Sequence, residues 1–233
     1  MNEAETDTAQ SPLEAYEELR AGFTAVVSHE LRTPLARALT LLESGADPAT
    51  IVQRVRAEIE EMTELIDDVL FLAELESGRA VVAFGPSEAL PELERVAARL
   101  TERAERADVR IEVTGDPDSK LPLRPRMLAV VAENLIENAL RYAGPGTTLR
   151  LAVEIGGDAT TLVAADDGVG VEDSDLPRVF ERFFRSDRAR ASRGTGLGLA
   201  IVKHIVTSAG GSVEAVRSSG GGLEIRCRFP AAA

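Results

Sequence analysis

Residues 48–76 carry the feature that most restricts what this chain can fold into. Val52, Val55, Ile59, Met62, Ile66, Val69 and Ala73 follow one another in alternating steps of three and four, the spacing of a heptad seam. Ile51, Leu65 and Leu72 add a second apolar edge, so the face is wider than a two-stranded seam needs. Upstream, Phe23, Val27, Leu31, Leu35, Leu39 and Leu42 recur mainly at four-residue steps and are read as one helical face. Pro12 suits a first helical turn, while Gly45 and Asp47-Pro48 end one helix and begin the next. Two long helices joined by a short loop, with apolar surface to spare, are expected to pair with a copy of themselves as a dimeric four-helix bundle.

The pattern changes near Ser77-Gly78. Strands are expected near 80–84, 109–114, 148–155, 160–166, 212–217 and 223–229, and helices near 87–106, 124–142 and 197–208. The last two strands flank Ser218-Ser-Gly-Gly-Gly222 and read as a hairpin. Strands that pair directly, interleaved with helices, imply a mixed sheet covered on one face, an α+β two-layer sandwich. The organisation expected is a flexible leader over 1–11, a helical hairpin over 12–79 and a sandwich domain over 80–233. Aromatics are 4% of the residues and Trp is absent, so the core must be aliphatic. Cys227, the one cysteine, lies in an alternating stretch and is read as a small buried strand residue; intramolecular disulfides and cysteine-rich metal sites are excluded.

A formal charge of −13 disfavours binding to nucleic acid, and a chain this acidic needs a locally basic pocket to hold a nucleotide. No apolar run reaches the roughly 20 residues that span a bilayer, and the N-terminus lacks the basic and apolar regions of a signal peptide. The chain is expected to be cytoplasmic, on its own or as the cytoplasmic portion of a membrane-bound sensor whose upstream part lies outside this sequence.

Four groups of residues could carry chemistry. In Ser28-His29-Glu30-Leu-Arg-Thr33-Pro34, Thr33 shares a helical face with His29. A carboxylate at Glu30 can fix the imidazole tautomer and leave the other ring nitrogen as nucleophile. Pro34 removes the hydrogen bond to the Glu30 carbonyl and should bend the helix there. The same residues also fit a surface histidine on a kinked helix. In Glu133-Asn134-Leu-Ile-Glu137-Asn138-Ala-Leu-Arg141-Tyr142, Asn134, Asn138 and Arg141 fall on one face. Amide oxygens there could ligate Mg²⁺ and the guanidinium could hold phosphate, though a solvated polar face would look alike. Asp166-Asp-Gly168-Val-Gly170 ends a strand, where glycines admit a flat ligand and a carboxylate can accept from an exocyclic amine; a plain Asp-Gly turn is the alternative. Gly194-Thr195-Gly196-Leu197-Gly198 opens a helix and can present amides to phosphate. Just before it, Arg178, Arg182, Arg185, Arg188, Arg190 and Arg193 supply the required basic stretch, with Phe180, Phe183 and Phe184 as anchors for a loop that would cover phosphates.

Taken in order, these blocks resemble the H, N, first glycine, F and second glycine boxes of the sensor histidine kinases of two-component systems. The resemblance runs from about residue 18 to 229. It implies an ATP-binding sandwich of the histidine-kinase and gyrase type, and transfer of the γ-phosphate of ATP to His29 and then to an aspartate on a response regulator receiver domain. Glu30 would be general base or orienting carboxylate, and Thr33 would support dephosphorylation of the regulator. Asn138, with Asn134 beside it, would ligate Mg²⁺, while Asp166 would read the adenine amino group with Tyr142 packed near the base. Arg141, where the family often has lysine, would contact phosphate, and Gly168, Gly170, Arg185 and Gly194 to Gly198 would line the nucleotide. His204, on an apolar helix without an acidic neighbour, is assigned to packing. A serine/threonine kinase of the same ATPase fold, or a dimeric scaffold switched by nucleotide, is the alternative. The first of these would have no need of the helical hairpin.

Overall fold

The computed structural model describes residues 12–77, 84–186 and 194–230, with the side chains of the first helix described from Thr24 onward. By contacts the chain forms two compact units that divide between Leu65 and Ile66. The leader expected over 1–11 lies outside the described residues.

Helix α1 (Pro12–Glu43) leads into helix α2 (Pro48–Glu76), whose residues from Ile66 onward belong to the second unit. Gly45 turns the chain at φ +65°. Asp47 then caps α2, its Oδ2 accepting from the Thr50 backbone N–H at 3.1 Å, which satisfies one of the donors a helix start leaves open. Helix α1 is continuous through Pro34. Its inward positions are Val27, Leu31, Pro34, Ala38 and Leu41, whereas Leu35, Leu39 and Leu42 are exposed. A strict four-residue step advances about 40° per repeat on a helix of 3.6 residues per turn. The apolar row read from the sequence therefore winds off the inner face.

Helix α2 sorts its apolar residues by heptad stripe. Ile51, Glu58, Leu65 and Leu72, spaced by seven, are buried or half-buried, while Val52, Ile59, Ile66 and Ala73, one residue on, are exposed. The seam taken from the sequence is thus in part the outer stripe, and the second edge is the inner one. Glu58 is 6% exposed and stands 3.8 Å from Arg37 Nη1 of α1, the kind of partner a buried carboxylate requires.

The second unit is built on a five-stranded sheet in the order β2-β4-β5-β7-β6. Its strands are β2 (Val109–Gly115), β4 (Thr147–Gly156), β5 (Ala159–Asp166), β6 (Ser212–Arg217) and β7 (Leu223–Pro230). β2 and β4 are parallel, and the remaining pairs are antiparallel. Helices α3 (Ala89–Ala107), α4 (Pro125–Tyr142) and α5 (Gly198–Ser208) supply the apolar layer, with Leu93, Val96, Leu128, Val131, Ile136, Ile201, Val202 and Ile205 all nearly inaccessible. They meet Leu149, Leu151, Leu162, Ile225, Cys227 and Phe229 of the sheet. β7 alternates strictly, with Arg226 and Arg228 on the opposite, solvated face. Burial pushes the Cys227 thiol up to about 12, as expected for a packing residue with no exposed thiolate.

A small antiparallel pair, β1 (Phe84–Glu88) with β3 (Lys120–Leu123), departs from the sequence expectation. The strand placed at 80–84 begins only at Phe84, and residues 80–83 lie outside the described residues. The helix placed from 87 starts at Ala89. β3 was not anticipated. Both strands contain a proline, Pro86 and Pro122, which argues against a strand from sequence; here the register shifts between Phe84 and Ser87 to accommodate one of them. Among the described residues, no helix is long and apolar enough to cross a membrane.

Candidate functional site

The α1 site lies on a solvated helical face. His29 has a side-chain exposure of 74%, and its Nδ1 stands 3.4 Å from Glu30 Oε1. Thr33 Oγ1 donates to the His29 carbonyl at 3.3 Å, so hydroxyl and imidazole lie one turn apart. Val27 and Leu31 flank His29 on the half-buried side, which holds the backbone while the ring stays free to meet another molecule.

The second group gathers around the C-terminal end of α4, and Asp166 anchors it. At the last residue of β5 this carboxylate is 6% exposed. Its Oδ1 accepts from the Gly168 N–H at 2.9 Å and from the Leu223 N–H at 3.2 Å. Burial pushes its pKa above the usual aspartate value, and those two N–H donors work in the opposite direction. One oxygen is thereby fixed, and none of the described residues bonds the other.

The neighbouring chain leaves no room for a side chain. A β-carbon at Gly222 would overlap Asp166, and Asp167 Cβ occupies the corresponding space at Gly220. The glycine run read as a simple hairpin turn is therefore also a wall of this site, a role that only the tertiary pairing of β5 with β7 reveals. Asp167 itself turns away, its Oδ1 accepting from the Thr148 N–H at 2.6 Å. Gly170, at φ +66°, packs against the same β6–β7 turn, and the Val169 N–H donates to Ala143 O at 3.0 Å just beyond α4.

On α4, Asn134 donates from Nδ2 to the Val130 carbonyl of its own helix at 2.9 Å. Its Oδ1 faces the start of α5, where a β-carbon on Gly198 would come within 2.6 Å; close approach of the two helices explains both residues. Asn138, one turn on, is half-buried at the same end. Arg141 is held by Glu137, Nη2 to Oε2 at 2.8 Å, and the Tyr142 hydroxyl occupies the space where Gly194 would carry a side chain.

The two loop motifs are joined backbone to backbone. The Phe183 N–H donates to Gly196 O at 2.9 Å, with Phe183 in the left-handed region at φ 62°. Thr195 Oγ1 accepts from the Leu197 N–H at 3.2 Å at the N-terminus of α5. Arg178 lies 4.5 Å over the Phe184 ring and Arg185 is half-buried, whereas Arg188, Arg190 and Arg193 fall outside the described residues. His204 is half-buried on α5, in keeping with a packing role.

Residues 124–233 match the family model of histidine kinase-, DNA gyrase B- and HSP90-like ATPases, and residues 19–78 match that of the His Kinase A (phospho-acceptor) domain. The chain belongs to the sensor histidine kinases. The signal transduction histidine-protein kinase BaeS of Escherichia coli K12 is 35% identical to this chain over 229 residues, covering 94% of the chain and 49% of BaeS. The chain thus spans about half the length of the curated relatives it matches. Full-length ShkA in complex with AMPPNP is 27% identical with a TM-score of 0.64, over 90% of this chain and 46% of ShkA. ThkA in complex with the response regulator TrrA shares the fold, with a TM-score of 0.74 at 18% identity over 96% of this chain and 68% of that one.

Proposed function

We propose that this kinase transfers the γ-phosphate of ATP to its own His29 and then to an aspartate on a response regulator receiver domain. The observation that carries the reading is the exposed His29 ring with Nδ1 turned to Glu30 at 3.4 Å. A proton held at Nδ1 leaves the lone pair on Nε2. Nε2 attacks the γ-phosphorus as the bond to the β–γ bridging oxygen breaks, ADP leaves, and Glu30 neutralises the charge that grows on the ring. Little covalent help is needed, because phosphoryl transfer is governed by positioning and charge neutralisation. The complex of ThkA with TrrA and that of ShkA with AMPPNP support a receiver domain and a nucleotide as partners.

The residues around α4 fit ATP and Mg²⁺ by their donor chemistry. Asp166 offers a fixed, desolvated acceptor for the adenine amine, and Tyr142, at the end of α4, is assigned to packing near the base. Gly168 and Gly170 let the base approach, and Arg141, Arg185 and the segment Gly194–Gly198 face the phosphates. Asn138 supplies a hard amide oxygen for Mg²⁺, with Asn134 beside it already engaged by Val130. Among the described residues no group of three acidic, His or Cys side chains could hold a metal. Mg²⁺ commonly takes only one or two protein oxygens and completes its shell with water and substrate phosphates; held by Asn138, it would offset phosphate charge.

The test is labelling with γ-labelled ATP and Mg²⁺. The expected label survives alkali and is lost in acid, as a phosphoramidate should be; an acid-stable label would mean a hydroxyl acceptor and contradict the reading.

The hydroxyl of Thr33, on the His29 face, is assigned to dephosphorylation of the regulator, where it would position water. Thr33→Ala is expected to lower phosphatase activity about tenfold or more while autokinase activity changes little; equal losses would count against this role. The outer stripe of α2 and the exposed Leu35, Leu39 and Leu42 of α1 are assigned to a homodimer interface. Ile59, 52% exposed within one chain, would then be buried, and a charge there would cost several kcal/mol. Ile59→Asp is accordingly expected to give monomers by light scattering, and a dimer that survives it would rule this face out. We assign the chain to the cytoplasm.

A further inference from the structure

Helices α3 and α4 are stitched by ion pairs whose α3 arginines, Arg99 and Arg103, lie outside the motif blocks. Arg99 Nη2 bonds Glu133 Oε2 at 2.8 Å, and one turn further along both helices Arg103 Nη1 bonds Glu137 Oε1. Both partners advance by four residues, so the helices run the same way, in register. The two pairs nevertheless differ in surroundings. Arg99–Glu133 has side-chain exposures of 50% and 38% and reaches no residue of the nucleotide site. Glu137 is 19% exposed and uses its second oxygen as well, with Oε2 accepting from Arg141 Nη2 at 2.8 Å.

Arg141 is thereby gripped from one side. Its other terminal nitrogen, Nη1, points at the second glycine box, where a β-carbon on Gly194 would stand 3.3 Å away. The chain Arg103–Glu137–Arg141 thus runs from the outer face of α3 to the loop that opens α5. A guanidinium fixed through one edge presents the other as an oriented donor.

We infer that Arg103 and Glu137 are positioning residues that aim Arg141 at the phosphates of the bound nucleotide. The inference rests on the reading of Arg141 as a phosphate contact. It also has a consequence that separates orientation from charge. Glu137 is an anion beside a site for anions, so if only net charge mattered, Glu137→Gln would tighten ATP binding. If orientation matters, the same change loosens the hold on the Arg141 guanidinium and weakens binding. Arg103→Lys keeps the charge but not the planar fork, so a charge effect leaves it like wild type, while positioning makes it intermediate.

Calorimetric titration of the chain with ATP and with adenosine, alongside thermal melting of each variant, tests this. Glu137→Gln and Arg103→Ala are each expected to weaken ATP about tenfold, the size of one charge-assisted hydrogen bond. Adenosine, which lacks phosphates, should bind as to wild type. Arg103→Lys should recover part of the loss, and Arg99→Ala, the outer pair, should have none. Tighter or unchanged ATP binding by Glu137→Gln would overturn the inference. So would equal loss of ATP and adenosine, which would mean a collapsed pocket, or a loss in Arg99→Ala matching that in Arg103→Ala. A wild-type chain that binds adenosine but gains nothing from the phosphates would overturn the role of Arg141 as well, whereas failure of the variants alone overturns only the positioning.

Discussion

Asp166→Asn is expected to weaken ATP binding by at least about tenfold while leaving the fold intact. The carboxylate Oδ1 takes two backbone N–H bonds, from Gly168 and Leu223, and an amide oxygen can accept both. What the substitution changes is the second atom. An Nδ2 donor would then face the exocyclic amine of adenine, itself a donor, and a buried donor pair forfeits a bond to a charged group worth about 1.5–3 kcal/mol. Burial raises the folded-state pKa of Asp166 above its unfolded value of 3.8. The folded state therefore holds this proton more tightly than the unfolded chain. The ionised group subtracts stability at neutral pH, and protonation on acidification recovers it. A neutral amide removes that penalty, so the melting temperature of the ligand-free variant should equal or exceed that of wild type. For the same reason, ATP affinity should begin to fall on acidification at a higher pH than an ordinary aspartate would dictate. Retention of full ATP affinity by a correctly folded Asp166→Asn would remove Asp166 from the site.

The order of the motifs, the hairpin loop at Gly45 to Pro48 and the strands from Thr147 to Pro230 were legible in the sequence because each rests on local patterning. β7 alternates residue by residue, and Asp47 caps the helix it precedes. What escaped depends on partners distant in sequence. β1 and β3 are stabilised by each other despite Pro86 and Pro122, and neither reads as a strand alone. The inner stripe of α2 includes Glu58, a charged residue that sequence assigns outward; only Arg37 on the opposite helix makes its burial intelligible. Heptad spacing gives the period of an apolar stripe but not which of two adjacent stripes, Ile51-Glu58-Leu65-Leu72 or Val52-Ile59-Ile66-Ala73, turns inward. In the group proposed to hold the nucleotide, Asp166 and the glycines were candidates by residue type. The contribution of Gly222 and Leu223, from a strand 57 residues further along, and the grip of Arg103 on Glu137, 34 residues apart, could not be read that way.

The two candidate sites make different demands on the scaffold. The residues proposed to hold the nucleotide sit on a sheet and helices that share an apolar core, and hydrogen bonds from Gly168 and Leu223 to Asp166 and from Arg141 to Glu137 orient two of them before any ligand arrives, which lowers the ordering cost of binding. His29, by contrast, needs exposure, because as the reading has it the ring must meet first a nucleotide and later a receiver domain. Its fixed features are local ones, Glu30 beside it in sequence and Thr33 one turn away, and both travel with the helix.

The central claim is that His29 is where the phosphoryl group lands. Its most direct test compares labelling by γ-labelled ATP in wild type, His29→Gln and His204→Gln, with circular dichroism to establish that each is folded. The expected result is no acid-labile label on His29→Gln and full label on His204→Gln, since His204 lies half-buried on α5 with no carboxylate bonded to it among the described residues. Acid-labile label persisting on a folded His29→Gln would contradict the account.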